Sequence, residues 1–222
     1  MEVNICVAIM IKEALPGSVK TRMCPPMTAI QAADLARHMF VDCLELVRQV
    51  GLAHRVFVDG HLDSTVVGVP KDHILAQVGD TFGDRLANAQ RAVFDLGFDG
   101  CIILPGDCPT VSRKMLREVS ACLEEGTMIL APSLDGGYLL LGSASPCPTL
   151  FTSVVMGTDR VASETLREAS RLGLSTRLLE TRTDLDTIAD LRLADNEGWL
   201  DEAKCTKDFM SAWTGLCPED RV

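Results

Sequence analysis

The sequence has few aromatic residues and a deficit of positive charge. Of its 222 residues two are Trp and one is Tyr, and the formal net charge is -10. Nucleic-acid binding needs clustered Lys and Arg against the phosphates, so this balance argues against a nucleic-acid partner. No apolar run approaches the roughly 20 residues of a membrane-spanning helix, and the first residues lack the basic segment and cleavage site of a signal peptide. We therefore expect a cytoplasmic protein with no membrane partner.

Several common site patterns are also missing. There are nine cysteines but no C-x-x-C pair, and the four histidines lack metal-ligand spacing, which argues against zinc. Cys108 has no histidine placed by sequence to activate it, which argues against thiol catalysis. The P-loop pattern G-x-x-x-x-G-K-[ST] and the dinucleotide pattern G-x-G-x-x-G are absent. With no linker-like tract or repeat, we predict one domain, residues 1–195, and a C-terminal helical appendage, residues 196–222.

Short apolar runs alternate with amphipathic segments along the chain. A run such as Cys101–Leu104 predicts a strand buried on both faces, as in a parallel sheet. The predicted strands are 4–11, 55–58, 74–78, 101–104, 128–131, 138–141 and 175–179. Helix N-caps are predicted at Thr28, Ser112 and Thr187. This alternation predicts an α/β fold, a mostly parallel sheet flanked by helices on both faces, with one more helix between Trp199 and Trp213.

A basic loop follows the first strand. It reads Lys12-x-x-x-Pro16-Gly17-x-x-Lys20-Thr21-Arg22. Glycine lets the backbone approach a phosphate, lysine supplies a point charge, and arginine binds two oxygens in a fork. A solvated loop on an acidic protein is the alternative. The position after strand one of an α/β chain favours binding of a nucleotide's phosphates.

Asp107 ends the strand Cys101–Leu104, at the edge where open α/β sheets bind ligands. It is either a metal ligand or a loop cap, and Ser112 already offers cap chemistry for the next helix. Magnesium prefers one or two carboxylates together with substrate phosphates. Asp107 therefore predicts a second carboxylate, for which the candidates are Asp184 and Asp186, which alternate and in extended backbone point the same way.

Two glycine-containing motifs allow structural and functional interpretations. The stretch from Gly79 to Leu86 is explained by a tight turn and a helix cap, and Asp80 and Arg85 within it are candidate substrate-binding residues beside a nucleobase. The segment Asp135-Gly136-Gly137-Tyr138 is typical of a hairpin turn. Its glycine amides are equally suited to lining a substrate pocket.

Five motifs, taken together and in this order, resemble those of one bacterial family: K-x-x-x-P-G-x-x-K-T-R, G-D-x-x-G-x-R-L, D-C-P-T, D-G-G-Y and D-x-D-T. Its members are GT-A-fold, glycosyltransferase-like proteins, long catalogued as a domain of unknown function, and some are assigned to arsenosugar biosynthesis. The family is similar to the nucleotide-diphospho-sugar transferase superfamily, which includes molybdenum-cofactor guanylyltransferases and phospholactate guanylyltransferase. The resemblance covers about residues 4–195 and implies a single-domain GT-A fold.

The resemblance also implies roles for the motif residues. Asp107 and Asp186 would hold Mg²⁺ or Mn²⁺, and Asp135 would be the general base on the acceptor side. The residues expected to bind substrate are Lys12, Gly17, Lys20, Thr21, Arg22, Asp80, Arg85, Gly136, Gly137 and Tyr138. The chain departs from the family at Met156-Gly157-Thr158, where an aromatic residue followed by Ser-Thr is usual.

The function implied is metal-dependent transfer of a glycosyl group from a nucleotide sugar to a small-molecule acceptor. Two alternatives stay open: a guanylyl- or cytidylyltransferase that releases pyrophosphate from a nucleoside triphosphate, and a nucleotide-binding module without turnover. Glycosyl transfer is favoured because the whole motif set matches that family. For residues 196–222 two roles are open, covering the acceptor site or forming an interface in a homo-oligomer.

Overall fold

A computed structural model describes residues 4–213, whose strands form one seven-stranded sheet. The strands are β1 (Ile5–Lys12), β2 (Ala53–Asp59), β3 (Ile74–Ala76), β4 (Gly100–Pro105), β5 (Thr127–Pro132), β6 (Tyr138–Ser143) and β7 (Ser175–Leu178). Their order is β3-β2-β1-β4-β6-β5-β7. Neighbours pair in parallel except β6, which runs antiparallel to β4 and β5. The predicted strands and the mostly parallel sheet are confirmed.

Helices begin where the sequence offers side-chain caps. Thr28, Ser112 and Thr187 each accept a hydrogen bond from a backbone amide of the first turn, as predicted. Thr81 caps a further helix reciprocally with Asp84. The helices are α1 (Ala29–Val50), α2 (Ser64–Val67), α3 (Phe82–Asp95), α4 (Arg113–Cys122), α5 (Thr149–Thr152), α6 (Val161–Arg171), α7 (Ile188–Asn196) and α8 (Lys204–Ala212).

The central strands are buried on both faces, which explains their continuous apolar runs. Side chains of β1 alternate between two cores: Val7 and Ile9 pack with α1 and α4, whereas Cys6, Ala8 and Met10 pack with α3, α5 and α6. Helices therefore cover both faces of the sheet, as predicted. Within the described part of the chain, no helix is both long and apolar enough to cross a membrane.

A third core joins the C-terminal helices to the loop after β1. Met23 and Met27 of this loop pack with Leu35 and Met39 of α1 and with residues of α7 and α8. The start of α8 is held by Asp42, whose carboxylate accepts hydrogen bonds from the amides of Cys205 and Thr206, at 2.9 and 2.7 Å. The helix expected between Trp199 and Trp213 is thus α8; the last nine residues of the appendage, 214–222, lie outside the described residues.

The chain order places a crevice at the carboxyl edge of the sheet. From β1 the chain runs outward to β2 and β3, and then returns to the other side of β1 as β4. The strand order therefore reverses between β1 and β4, and open α/β sheets bind their ligands at such a switch point. The connections after these two strands lead to helices on the same face of the sheet, α1 and α4. Lys20 lies on the first of these connections and Asp107 on the second.

Candidate nucleotide site

A cavity of about 630 Å³ occupies this crevice. Its walls are the loop after β1, one face of α1, the start of α3 and the carboxyl ends of β2, β3 and β4. A pocket of this volume is in the range of small-molecule binding sites. The predicted site residues that line it are Lys12, Lys20, Arg85, Asp107 and Asp186.

The ammonium of Lys20 lies between Asp107 and Asp186. Its Nζ donates to Asp107 Oδ2 at 2.7 Å and to Asp186 Oδ1 at 3.0 Å, and Arg22 Nη1 donates to Asp186 Oδ2 at 3.1 Å. The Lys20 side chain is only 4% exposed, whereas those of Asp107 and Asp186 are 48% and 36% exposed. The carboxylates can therefore be reached from the cavity, and the ammonium is enclosed behind them.

Electrostatic attraction between Lys20 and the two carboxylates stabilises the charged forms of these side chains. Burial by itself lowers the pKa of Lys20, but Asp107 and Asp186 outweigh it and the net pKa is raised. For Asp107 burial raises the pKa, and the neighbouring Lys20 ammonium more than reverses this, so that the net pKa is lowered. Lys20 is consequently protonated and Asp107 ionised at neutral pH. Cys108, the neighbouring thiol, is buried, and burial together with the charge of Asp107 raises its pKa.

Backbone conformation holds Lys20 in this position. Its φ of 47° and ψ of 35° lie in the left-handed region, which is uncommon for residues other than glycine and costs energy that the surroundings must offset. The Met23 amide donates to the Lys20 carbonyl at 3.0 Å. The turn before it needs Gly17, whose φ is 81°. Gly17 and Thr21 shape this loop and lie outside the cavity lining, with Thr21 exposed at the start of a 3-10 turn.

Two further cations contact this loop. Lys12 Nζ donates to the Ser18 carbonyl at 3.2 Å, across the loop. Arg37, on α1, donates from Nη2 to the Ala14 carbonyl at 2.7 Å and also lines the cavity. Sequence reasoning missed Arg37, because it lies within an ordinary helical pattern and only the packing of α1 brings it to the loop.

The two carboxylates of the Asp184-Leu185-Asp186 segment face different partners. Asp186 contacts Lys20 and Arg22, whereas Asp184 Oδ1 accepts from Ser133 Oγ at 3.1 Å. Burial, Asp135 and Asp186 raise the pKa of Asp184 to about 6. The two carboxylates thus have different hydrogen-bond partners, although Asp184 also interacts electrostatically with Asp186 and Lys20. Of the two, Asp186 is hydrogen-bonded to the same cation as Asp107.

Thr110 fastens the Asp107 loop to the segment that carries Asp186. Its buried Oγ1 donates to the Thr183 carbonyl at 2.7 Å, and Arg182 Nη1 donates to the Thr110 carbonyl at 2.7 Å. These bonds fix the separation of the two carboxylates. Thr110 was not a predicted site residue, although its place in the Asp107-Cys108-Pro109-Thr110 motif was a signal.

The far end of the cavity carries a second ion pair. Arg85 Nη1 donates to Asp59 Oδ2 at 2.7 Å, and Gln77 Nε2 donates to the carbonyls of Ile11 and Phe57 at 2.8 and 3.0 Å. Asp59 and Gln77 were missed, although Asp59 ends β2 just as Asp107 follows β4. Asp80, by contrast, is exposed and does not line the cavity.

The Asp135-Gly136-Gly137-Tyr138 segment forms the turn between β5 and β6. Asp135 Oδ1 accepts from the Gly137 amide at 2.8 Å, and Gly136 packs so closely on the carbonyl of Asp159 that a Cβ would overlap it. The hydroxyl of Tyr138 is buried and has no hydrogen-bond partner among residues 4–213, and burial raises its pKa. None of these residues lines the cavity.

The carboxylate oxygens of this site determine whether a metal ion fits between them. Asp107 and Asp186 place one oxygen each within reach of a single point, which suits a divalent ion that completes its coordination with water and substrate phosphates. No group of three or more His, Cys, Asp or Glu residues among residues 4–213 is arranged to hold a metal. The site thus fits a metal that arrives with phosphates and does not fit an all-protein cage.

Comparison with solved structures identifies the fold. A crystal structure from Desulfovibrio desulfuricans G20, provisionally named a nucleotide-diphospho-sugar transferase, matches with a TM-score of 0.83 and 24% identity over 94% of this chain and 96% of that one. A cytidylyltransferase from Leptospira borgpetersenii matches with a TM-score of 0.54 and 13% identity, over 96% of this chain and 98% of that one. These likenesses confirm the nucleotide-diphospho-sugar transferase fold.

Comparison of sequences identifies the family. Phosphoenolpyruvate guanylyltransferase from Chloroflexus aggregans is 34% identical over 113 residues, which are 48% of this chain and 53% of that protein. The match thus spans about half the length of that relative. The family model described as an uncharacterized protein conserved in bacteria, DUF2064, matches residues 43–158, just over half of the chain. The resemblance seen in the motifs is confirmed, and the chain belongs to the DUF2064 family.

Proposed function

We propose that this protein is a nucleotidyltransferase, which joins the nucleoside monophosphate part of a nucleoside triphosphate to a small anionic acceptor and releases pyrophosphate. The observation that carries the proposal is the group of Lys20, Asp107 and Asp186 at the switch-point cavity, with Arg22 paired to Asp186 just outside the lining. It combines cations for phosphates with carboxylates for a divalent ion. The guanylyltransferase name of the relative supports nucleotidyl over glycosyl transfer.

The reaction needs little from the protein beyond positioning and charge. An oxygen of the acceptor attacks the α-phosphorus, the bond from that phosphorus to the bridging oxygen breaks, and pyrophosphate leaves with the electron pair. Lys20 and Arg22 supply positive charge where negative charge develops on the leaving group. Asp107 and Asp186 would hold Mg²⁺ or Mn²⁺, which polarises phosphoryl oxygens when bound. A phosphorylated or carboxylated acceptor is already anionic and needs no general base.

Glycosyl transfer is the second candidate, and the pair Asp135 and Asp184 favours it. A hydroxyl acceptor must lose a proton as it attacks the anomeric carbon, and a carboxylate near the operating pH accepts that proton best. The pKa of Asp184 is raised to about 6, and Asp135 is among the causes. Asp135 itself uses one oxygen to hold the Gly137 amide. The nucleotide donor would occupy the same cavity in either reaction.

A product assay separates the candidates. The protein is incubated with Mg²⁺ or Mn²⁺ and one of two panels, and phosphorus NMR follows the products. The first contains the four common nucleoside triphosphates with phosphorylated and carboxylated acceptors, phosphoenolpyruvate among them. The second contains nucleotide sugars with hydroxyl acceptors. Asp107→Asn, which is neutral and of the same shape, controls for a contaminating enzyme.

The proposal predicts pyrophosphate in step with triphosphate consumption, with loss of that product in Asp107→Asn. Release of a nucleoside diphosphate from a nucleotide sugar, with no pyrophosphate in any reaction of the first panel, would overturn it in favour of glycosyl transfer. Nucleotide binding without turnover in either panel would favour a non-catalytic module.

A further inference from the structure

The position of the Lys20 ammonium is the one that a divalent ion would need. Asp107 and Asp186 each direct an oxygen at Nζ, from 2.7 and 3.0 Å, and no other described residue donates to both carboxylates. Magnesium–oxygen distances are about 2.0–2.1 Å. A metal held by both carboxylates would therefore draw them closer together than the ammonium does. The two cations cannot occupy this point together.

Among the four side chains joined by these ion pairs, positive and negative charges are equal in number. Two cations, Lys20 and Arg22, face two carboxylates, Asp107 and Asp186. A divalent ion added alone would place two more positive charges beside a buried ammonium, where water screens them poorly. A polyphosphate reverses this, because its oxygens offer partners both to the metal and to the displaced lysine. Lys20 itself is one of the residues that line the same cavity.

We propose that Lys20 is a built-in cation that competes with the divalent metal for Asp107 and Asp186, so that metal binds tightly only together with a polyphosphate that draws the ammonium away. The inference rests on the proposed nucleotide site and deepens it. It assigns Lys20 two alternating partners, the carboxylates in the free protein and a phosphate in the loaded one. The metal then reaches the site as a complex with the substrate's phosphates.

A titration with Mn²⁺ tests this without turnover. Electron paramagnetic resonance measures free Mn²⁺ in the presence of wild type, Lys20→Met and Lys20→Gln. Lys114→Met is the matched control, since it removes the same charge from an exposed position on α4, outside the cavity lining. We expect weak Mn²⁺ binding by wild type and Lys114→Met, and binding roughly tenfold tighter or more by both Lys20 variants. Circular dichroism confirms that each variant is folded.

A second experiment uses the wild-type protein alone, so its result does not depend on the folding of any variant. Crystals are soaked with Mn²⁺ alone and with Mn²⁺ plus inorganic pyrophosphate, and anomalous scattering locates the ion. We expect Mn²⁺ between Asp107 and Asp186 only in the second soak, with Lys20 Nζ on a phosphate oxygen. Mn²⁺ between the carboxylates in the first soak would overturn the proposal, as would wild-type affinity for Mn²⁺ equal to that of the folded Lys20 variants.

Failure of this proposal can be distinguished from failure of the proposed function. These measurements use no nucleoside triphosphate, acceptor or product, so they are unaffected if the protein proves to transfer a glycosyl group. Conversely, pyrophosphate release in the product assay together with tight binding of Mn²⁺ alone would support the proposed function and contradict the competition.

Discussion

The hydroxyl of Thr110 donates a 2.7 Å hydrogen bond to the carbonyl oxygen of Thr183 in the buried interior, and this bond joins the Asp107 loop to the segment between β7 and α7 that carries Asp186. Thr110→Val keeps the shape of the side chain and leaves that carbonyl without its donor. We expect a loss of about 1–3 kcal/mol in the free energy of unfolding, with weaker binding of Mn²⁺ and pyrophosphate. Denaturant unfolding and calorimetry measure the two effects. Thr110→Ser, which keeps the hydroxyl, should restore most of both, and equal behaviour of the two variants would contradict the role.

Asp42 stabilises the C-terminal helix from a neighbouring helix. Its carboxylate accepts from the Cys205 and Thr206 amides and from Thr206 Oγ1, at 2.7–2.9 Å, and no side chain of α8 itself caps that end. Asp42→Ala should lower the free energy of unfolding by about 2 kcal/mol, since buried donors lose a charged acceptor. Asp34→Ala, whose side chain is half exposed on the same helix, should change it by less than about 0.5 kcal/mol. A similar effect from both changes would contradict this account.

Gly17 and Gly136 both adopt positive φ, 81° and 90°, but differ in surroundings. A Cβ at Gly17 meets no atom within 4 Å, whereas one at Gly136 overlaps the backbone of Asp159. Gly17→Ala should therefore cost only the conformational penalty of about 1–2 kcal/mol. Gly136→Ala adds overpacking and should cost about 2–5 kcal/mol in all. Thermal unfolding of the pair provides the comparison, and equal melting temperatures would contradict the close packing of this turn.

His54 makes stability depend on pH. Burial and the nearby charge of Arg48 lower its pKa from the ordinary value of 6.5, with His73 and Arg55 adding to the shift. Its Nε2 is buried and has no hydrogen-bond partner in the described part of the chain. The unfolded chain therefore takes up a proton first as the pH falls, and stability is lost from about pH 6.5 downward to the folded pKa. Replacement by leucine removes this titration. The fall in unfolding free energy between about pH 7.5 and 5.5 should be smaller in His54→Leu than in wild type; identical profiles would contradict the assignment.

The sheet and most helices were predictable because local signals agreed with the fold. Runs such as Cys101–Leu104 are continuous because both faces of β4 are buried, and Thr28, Ser112 and Thr187 start helices through their own side chains. The antiparallel direction of β6 was not predicted, since periodicity carries no strand direction. The hydrogen bonds between Asp42 and the start of α8 were not predicted either, because they join residues far apart in the sequence.

The candidate site was likewise predictable only in part. Asp107, Asp186 and Lys20 could be selected because each lies at the carboxyl edge of the sheet, which chain order alone reveals. The position of the Lys20 ammonium between the two carboxylates could not be predicted. It depends on the left-handed conformation of Lys20 and on its burial. Arg37 and Gln77 were missed for a related reason: each reaches the cavity through packing or strand-end contacts that no short motif encodes.

The most direct test of the central claim is a calorimetric titration of wild type and Asp107→Ala with the four common nucleoside triphosphates, each with and without Mg²⁺. We predict that wild type binds at least one of them with an affinity that Mg²⁺ raises roughly tenfold or more. Asp107→Ala should lose that enhancement. A wild-type affinity that Mg²⁺ does not change, or an equal Mg²⁺ enhancement in Asp107→Ala, would contradict a site in which Asp107 and Asp186 hold the metal of a nucleotide substrate.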